Sequence, residues 1–228
     1  MKISLCLMTW NEFGGCQLDV PKLPRDAFDE MYCIDGGSTD GTVEYLNSHG
    51  IKVYKQPKKG LNAAYVHANE VSSCDAVVVF FPKGTTPVED LRKFRPLLEN
   101  GYELIIASRQ IERSVNEEDI HWWRPRKVAV WLLAFVSMFI WHREGYWIRD
   151  VLHGHKAFTK GAFNKMKILE HGLSIDIEMV VRSYKLRIMR CEFPTKETAR
   201  LSGATRFKIW PTGMKLLSYL WFELRRYD

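Results

Sequence analysis

The ten residues Cys33-Ile34-Asp35-Gly36-Gly37-Ser38-Thr39-Asp40-Gly41-Thr42 constrain this chain more than any other stretch. A short apolar run ends on an acid, and paired glycines then let the backbone turn sharply or meet a ligand at close range. Ser38, Thr39 and Asp40 are helix-capping residue types, set just before a helical stretch from Val43 to Asn47 that stops ahead of Gly50. The pattern reads as strand, turn and helix. In open α/β sheets ligands bind at the carboxyl end of such strands, and this turn suits a nucleotide. An ordinary strand–turn–helix connection carries the same local signals, so the segment alone leaves both readings open.

The rest of the first half repeats the alternation. Lys2–Met8 and Met31–Ile34 read as strands, and Ile51–Tyr54 as a third. The Gly60–Asn62 turn opens a helix over Ala63–Val71, and Ala76–Phe81 is a continuous apolar run, as expected of a strand buried on both faces. Thr86-Pro87-Val88-Glu89 has the form of a capping box with proline at the first helical position. Its helix carries Leu91, Phe94, Leu97 and Leu98 and ends at Gly101, before a strand over Tyr102–Ala107. Repeated β-α-β units predict an α/β fold with a parallel, doubly wound sheet and right-handed crossovers. No repeat or linker divides the 228 residues, so a single domain is expected.

The second half changes character. His121–Trp147 holds five of the eight tryptophans, with Arg124, Arg126, Lys127, His142 and Arg143 beside them. A short apolar stretch with aromatics at both ends and flanking cations suits a helix lying in a membrane interface. A buried core helix with snorkelling ends fits the same residues. Ile209–Leu224 repeats the pattern and runs into Arg225-Arg226-Tyr227, which favours attachment to a membrane surface. Val128–Trp141 has 14 residues, short of the roughly 20 that a spanning helix needs, so attachment is expected to be peripheral. The net charge of +6 points to anionic partners, although no nucleic-acid motif appears. Five cysteines without a CxxC pair read as reduced thiols in a cytoplasmic protein, and the amino terminus does not read as a signal peptide.

Together these segments resemble the inverting family 2 glycosyltransferases of the GT-A (Rossmann-like) fold, in particular the polyprenyl-phosphate, dolichol-phosphate mannose synthase-like branch. Met8-Thr9-Trp10-Asn11-Glu12 resembles the family's first-strand ending. Asp35 to Thr42 matches its Asp-Asp-Gly-Ser-Thr-Asp-Gly-Thr signature, with Gly36 in place of the second acid. Gly60-Leu61-Asn62-Ala63-Ala64, Ala107-Ser108-Arg109, Arg149-Asp150 with Gly154-His155-Lys156-Ala157-Phe158, and Asp176-Ile177-Glu178 follow in the family's order. Arg200-Leu201-Ser202-Gly203-Ala204-Thr205-Arg206 resembles its Arg-x-x-Gly-x-Ser-Lys loop.

The resemblance implies a nucleotide-sugar-binding half over 1–110 and an acceptor-binding, membrane-interface half over 111–228, with amphipathic carboxyl-terminal helices. Thr9, Asn11, Glu12, Asp35, Gly37, Ser38, Asp40, Asn62, Lys83 and Gly84 would contact the UDP- or GDP-sugar. Arg109, Arg124, Arg126, Lys156, Arg200 and Arg206 would contact acceptor phosphate. One departure stands out. Where the family has Asp-x-Asp for Mg²⁺ or Mn²⁺, this chain has Phe81-Pro82-Lys83, which offers no oxygen ligand. A divalent cation remains open as a cofactor, but the expectation is that the Lys83 ammonium neutralises the diphosphate itself.

Asp150, Lys83 and Arg109 are the expected catalytic residues, Asp150 as a base for a hydroxyl acceptor or as an orienting group. Its bland alternative is an ion pair with a neighbouring cation. His153 and His155 make a His-x-His pattern that is thin support for a metal. The expected reaction moves a sugar to a polyprenyl phosphate with inversion. The alternatives are a glycan or lipid hydroxyl acceptor, and a non-catalytic nucleotide-sugar-binding homologue.

Overall fold

A computed structural model describes residues 1–116, 125–170, 172–199 and 209–226, with the backbone alone at 125–126 and 209–211. Its strands are β1 (Ile3–Thr9), β2 (Glu30–Asp35), β3 (Lys52–Lys55), β4 (Ala76–Phe80), β5 (Leu104–Ser108), β6 (Lys156–Thr159) and β7 (Arg190–Pro194). Its helices are α1 (Phe13–Asp19), α2 (Thr42–Ser48), α3 (Leu61–Val71), α4 (Phe94–Glu99), α5 (Pro125–Trp141), α6 (Lys160–Met166), α7 (Ile175–Lys185) and α8 (Ile209–Arg225).

The strands form one sheet in the order β3-β2-β1-β4-β6-β5-β7. β6 runs antiparallel between β4 and β5, and the other neighbouring pairs run parallel. Every residue of β1 and β4 is buried, because helices cover both faces. Alternate residues of β1 feed two cores. Leu5 and Leu7 pack with Cys16, Leu46 and Phe94 on one side, and Cys6 and Met8 with Ala64, Phe163 and Met179 on the other. The carboxyl ends of β1, β2, β4, β5 and β7 share one rim, and β6 enters at that rim. Residues that precede β6 therefore join those that follow the parallel strands.

Two local expectations are corrected. Gly41, at φ +92°, is the cap residue of α2, and of the polar residues before it Asp40 bonds the helix start while Ser38 bonds Asp35. Asp40 accepts the backbone N–H of Thr42 at 3.1 Å and that of Phe13 at 3.0 Å, tying the first turns of α2 and α1 together. The capping box at Thr86 does not form. Pro87 is itself the cap, extended at ψ 122°, so a 3-10 turn over Val88–Lys93 precedes α4. Thr86 Oγ1 is left buried with no hydrogen-bond partner among the described residues.

A third core joins α5, α7 and α8 through Val130, Ala134, Val181, Tyr184, Leu216 and Leu220. Glu223 of α8 is buried and accepts from Arg182 at 3.0 Å, Lys185 at 3.1 Å and Tyr219 at 3.2 Å. That cluster fixes the rotation of α8, and the opposite face carries exposed Met214, Leu217, Trp221 and Phe222. α5 likewise exposes Trp131, Phe135 and Phe139, stacked in succession at 5.8 and 6.5 Å.

Asn62 joins α3 to α7. Its Nδ2 donates to Leu169 O, Ser174 Oγ and Glu178 Oε2, and its Oδ1 accepts from Ile175 N at 3.0 Å. Removing that amide leaves the Ile175 N–H unpaired and takes from the buried Glu178 carboxylate one of the donors it shares with Leu169 N and Ser174 Oγ. Asn62→Ala is therefore expected to lower unfolding free energy by about 2–4 kcal/mol, measured by urea denaturation.

Candidate active site on the carboxyl rim of the sheet

The loops after β1 and β2 are built as one piece. Asp35, at the end of β2, is 3% exposed and accepts four hydrogen bonds from the protein. They come from Thr9 Oγ1, the Gly37 and Ser38 backbone N–H groups, and Ser38 Oγ. Its lone pairs are thereby engaged within the protein, so the acid shapes the turn from inside. Asn11 stands at φ +52°, its N–H on Ser38 Oγ and its Oδ1 under Thr39 N. Glu12 donates its backbone N–H to Thr42 Oγ1 at 3.1 Å. Thr9, Asn11, Glu12, Asp35, Gly37, Ser38 and Asp40 thus come together as predicted, chiefly through bonds to one another. Gly36 lies against Trp10, where a Cβ would come 3.2 Å from Trp10 Cβ. A side chain in place of that second acid would have to displace the tryptophan.

At the exit of β4 the half-buried Lys83 places its ammonium 4.8 Å from the centre of the Phe81 ring. Its charge acts on Glu197 and on His155, so the side chain belongs to the rim cluster. A divalent cation does not fit here. Phe81 stacks on His155, Lys83 brings a positive charge, and no three His, Cys, Asp or Glu side chains converge among the described residues. Gly84 is corrected too. Its N–H is taken by Asp19 Oδ2 at 2.8 Å, and what lies close to it is the side chain of Leu18, not an open approach for phosphate.

The strongest electrostatic feature is Arg109, just past β5. Its Nε and Nη2 grip Asp150 at 2.8 and 2.9 Å, and its Nη1 reaches Glu197 at 2.7 Å. Asp150 is fully buried and also accepts Arg109 N at 2.9 Å. Burial alone would raise the Asp150 pKa, but Arg109 overrides it and holds it at about 2. Asp150 is thus kept ionised, buried and committed to Arg109. Behind it, Glu192 accepts the backbone N–H groups of Arg149 and Asp150 at 2.9 and 2.8 Å. Burial, reinforced by the nearby Asp150 charge, raises the Glu192 pKa to about 7. Glu197 leads into Thr198, whose N–H bonds Thr85 O at 2.8 Å, so the chain after β7 is stitched to the chain after β4.

Lys156 was expected on acceptor phosphate, but it is fully buried and paired with Asp176 at 2.6 Å. Asn62 is likewise committed to α7 and does not line the rim. His153 and His155 stand with rings 4.8 Å apart, both shifted toward the neutral form, first by burial. Arg124, Arg200 and Arg206 lie outside the described residues, as does the side chain of Arg126. Sequence reasoning missed Glu192 and Glu197. A lone acid inside the strand Cys191-Glu192-Phe193 was the available signal for the first, and nothing marked the second.

The sequence model described as "Glycosyl transferase family 2" matches residues 22–167. The chain belongs to glycosyl transferase family 2. Among curated relatives, "Glycosyltransferase AglJ" of Haloferax volcanii is 28% identical over 204 residues, 88% of this chain and 65% of the relative. "Dolichyl-phosphate hexose transferase" of the same organism is 26% identical over 203 residues, 86% of this chain and 84% of the relative. This chain thus spans just under two thirds of the first of them. Among solved structures, glucosyl-3-phosphoglycerate synthase from Mycobacterium tuberculosis with Mn²⁺ and UDP-glucose superposes with a TM-score of 0.75 at 17% identity, over 100% of this chain and 80% of that one. A complex of the same enzyme with Mn²⁺, UDP and glucosyl-3-phosphoglycerate gives 0.72 at 15% identity. The fold is GT-A, as the sequence predicted. Within family 2, this chain's departures lie at Gly36 and at Phe81-Pro82-Lys83.

The buried acids of this family 2 rim make stability depend on pH. Glu192 holds its proton to about pH 7 when folded and to about 4.5 when unfolded. The folded state binds more protons across that window, so its contribution is complete below 4.5 and lost as pH rises through 7. Unfolding free energy is expected to fall by up to about 3 kcal/mol from this group. Glu192→Gln should flatten that slope in urea titrations at stepped pH, whatever it does to absolute stability.

Proposed function

We propose that the chain transfers a sugar from a UDP- or GDP-sugar to a polyprenyl phosphate, with inversion at the anomeric carbon. The observation that carries this is the state of the acids on the acceptor side. Asp150 and Glu197 are bound to Arg109, and Asp176 is bound to Lys156. None is placed to take a proton from a hydroxyl, whereas a phosphate oxygen is already ionised and needs no base. The hydroxyl-acceptor reading therefore loses its base. The printed name of the dolichyl-phosphate hexose transferase relative supports the same acceptor class.

In this reading an acceptor phosphate oxygen attacks the anomeric carbon in line, and the bond to the donor diphosphate breaks. The electron pair departs with the nucleoside diphosphate, whose charge the Lys83 ammonium neutralises in place of a metal ion. Three of the five Arg109 N–H donors hold carboxylates, which fixes the guanidinium as a positive wall for phosphate. The chain after β7 is held at this rim by Glu197 and by the Thr198 N–H on Thr85 O. The lipid part of the acceptor would lie along the exposed faces of α5 and α8, on a membrane surface. Five buried thiols with no disulfide suit a cytoplasmic position.

Transfer of labelled sugar to dolichyl phosphate is expected to survive EDTA and to fall about 10²-fold or more in Lys83→Ala. Loss of activity in EDTA with recovery on added Mn²⁺ or Mg²⁺ would refute the metal-free reading. In flotation with anionic lipid vesicles, Phe139→Glu with Trp221→Glu should cut bound protein at least tenfold, since each exposed ring contributes about 1.5–3 kcal/mol on burial. Stabilisation of the same variant by UDP or GDP should be unchanged.

A further inference from the structure

The aromatic residue that stands where the family has its first metal-binding acid sits in a place made for it. Phe81 stacks on His155, with ring centres 5.9 Å apart and planes within 5°. His155 is buried, and its Nε2 accepts the Phe81 backbone N–H at 3.3 Å, so the ring and its own backbone are held by one imidazole. Gly154 lies against the Phe81 ring, and a Cβ there would come 2.5 Å from Phe81 Cε2. The Gly154 backbone is outside the left-handed region, so its torsions do not call for glycine. The ring does. The Lys83 ammonium then lies 4.8 Å from the centre of that same ring.

We propose that Phe81 and His155 are positioning residues, and that the π face of Phe81 holds the Lys83 ammonium where the donor diphosphate is neutralised. This rests on the reading above that Lys83 meets the diphosphate. A lysine on a four-carbon stem is a poor substitute for a fixed metal ion, because its rotamers must be ordered each time the donor binds. Resting on an aromatic face orders it in advance. The ring does so without itself taking a hydrogen-bond donor from the ammonium. His155 suits the role only as a neutral imidazole, since a second cation behind the ring would repel Lys83. Burial and the charges of Lys83 and Arg109 all favour that form.

The test is calorimetric titration of the full chain with UDP and GDP, and with UMP and GMP, in EDTA. The proteins are wild type, Phe81→Leu, Phe81→Tyr, Lys83→Ala and the Phe81→Leu/Lys83→Ala double variant. Phe81→Leu is expected to weaken diphosphate binding about tenfold and Phe81→Tyr to keep it within roughly twofold, with monophosphate binding unmoved in both. The double variant should bind no worse than Lys83→Ala, because the ring acts only through the lysine. Melting temperatures identify any variant that fails to fold, and Phe81→Met then replaces Phe81→Leu as the apolar side chain without a π face. Unchanged diphosphate affinity in Phe81→Leu, or additive losses in the double variant, overturns the positioning role while Lys83 keeps its own. Unchanged affinity in Lys83→Ala overturns both.

Discussion

The bidentate pair between Arg109 and the fully buried Asp150 is the interaction on which the rim depends. It joins the end of β5 to the chain entering β6, and through Glu197 to the chain leaving β7. Three segments far apart in sequence are held by one guanidinium. A buried pair of this kind adds little net stability, yet breaking it costs about 3–5 kcal/mol because a stranded charge remains. Asp150 is secured further by Glu192, which takes its backbone N–H. Arg109 therefore works as fixed architecture that presents positive charge, with side-chain freedom removed before any ligand arrives.

The same principle runs along the rim toward the donor side. Asp35 has its oxygens filled by Thr9, Gly37 and Ser38, and Asp40 ties α1 to α2. The acids that look in sequence like ligand contacts are the framework of the loops. The surface of that framework carries the half-exposed Trp10 indole. A rigid, preorganised cleft loses less entropy on binding than one whose loops must order around the donor.

Most of the fold was legible because its strands are short apolar runs bounded by glycine, proline and capping residues. The alternation from Lys2 to Ala107 gave the strands to within about two residues, but it missed α1 (Phe13–Asp19), whose Gly14-Gly15 pair does not read as helix. The antiparallel placement of β6 was not legible, since Lys156–Thr159 carries no signal of direction. At the site, sequence named Arg109 and Asp150 but could not pair them, because 41 residues separate them. Lys156 shows the limit from the other side. A basic residue in a motif looks like a phosphate ligand until burial shows that Asp176 already holds it. Thr86 failed as a cap for a local reason, since the extended ψ of Pro87 delays the helix by one residue.

A lysine ammonium and a divalent ion make different demands on a site for a diphosphate. A divalent ion bridges two phosphates from a geometry it imposes itself, whereas a single positive charge must be aimed by the protein. An acceptor that arrives as a phosphate brings its own negative charge into the same cleft, and only strong fixed positive charge can hold two anions together. Arg109, kept charged by Asp150 and Glu197, and Lys83, 4.8 Å from the centre of the Phe81 ring, stand on opposite sides of β6. A neutral hydroxyl acceptor would gain little from such a field. The positive side chains of the rim and its committed carboxylates are the features on which the proposed phosphate acceptor rests.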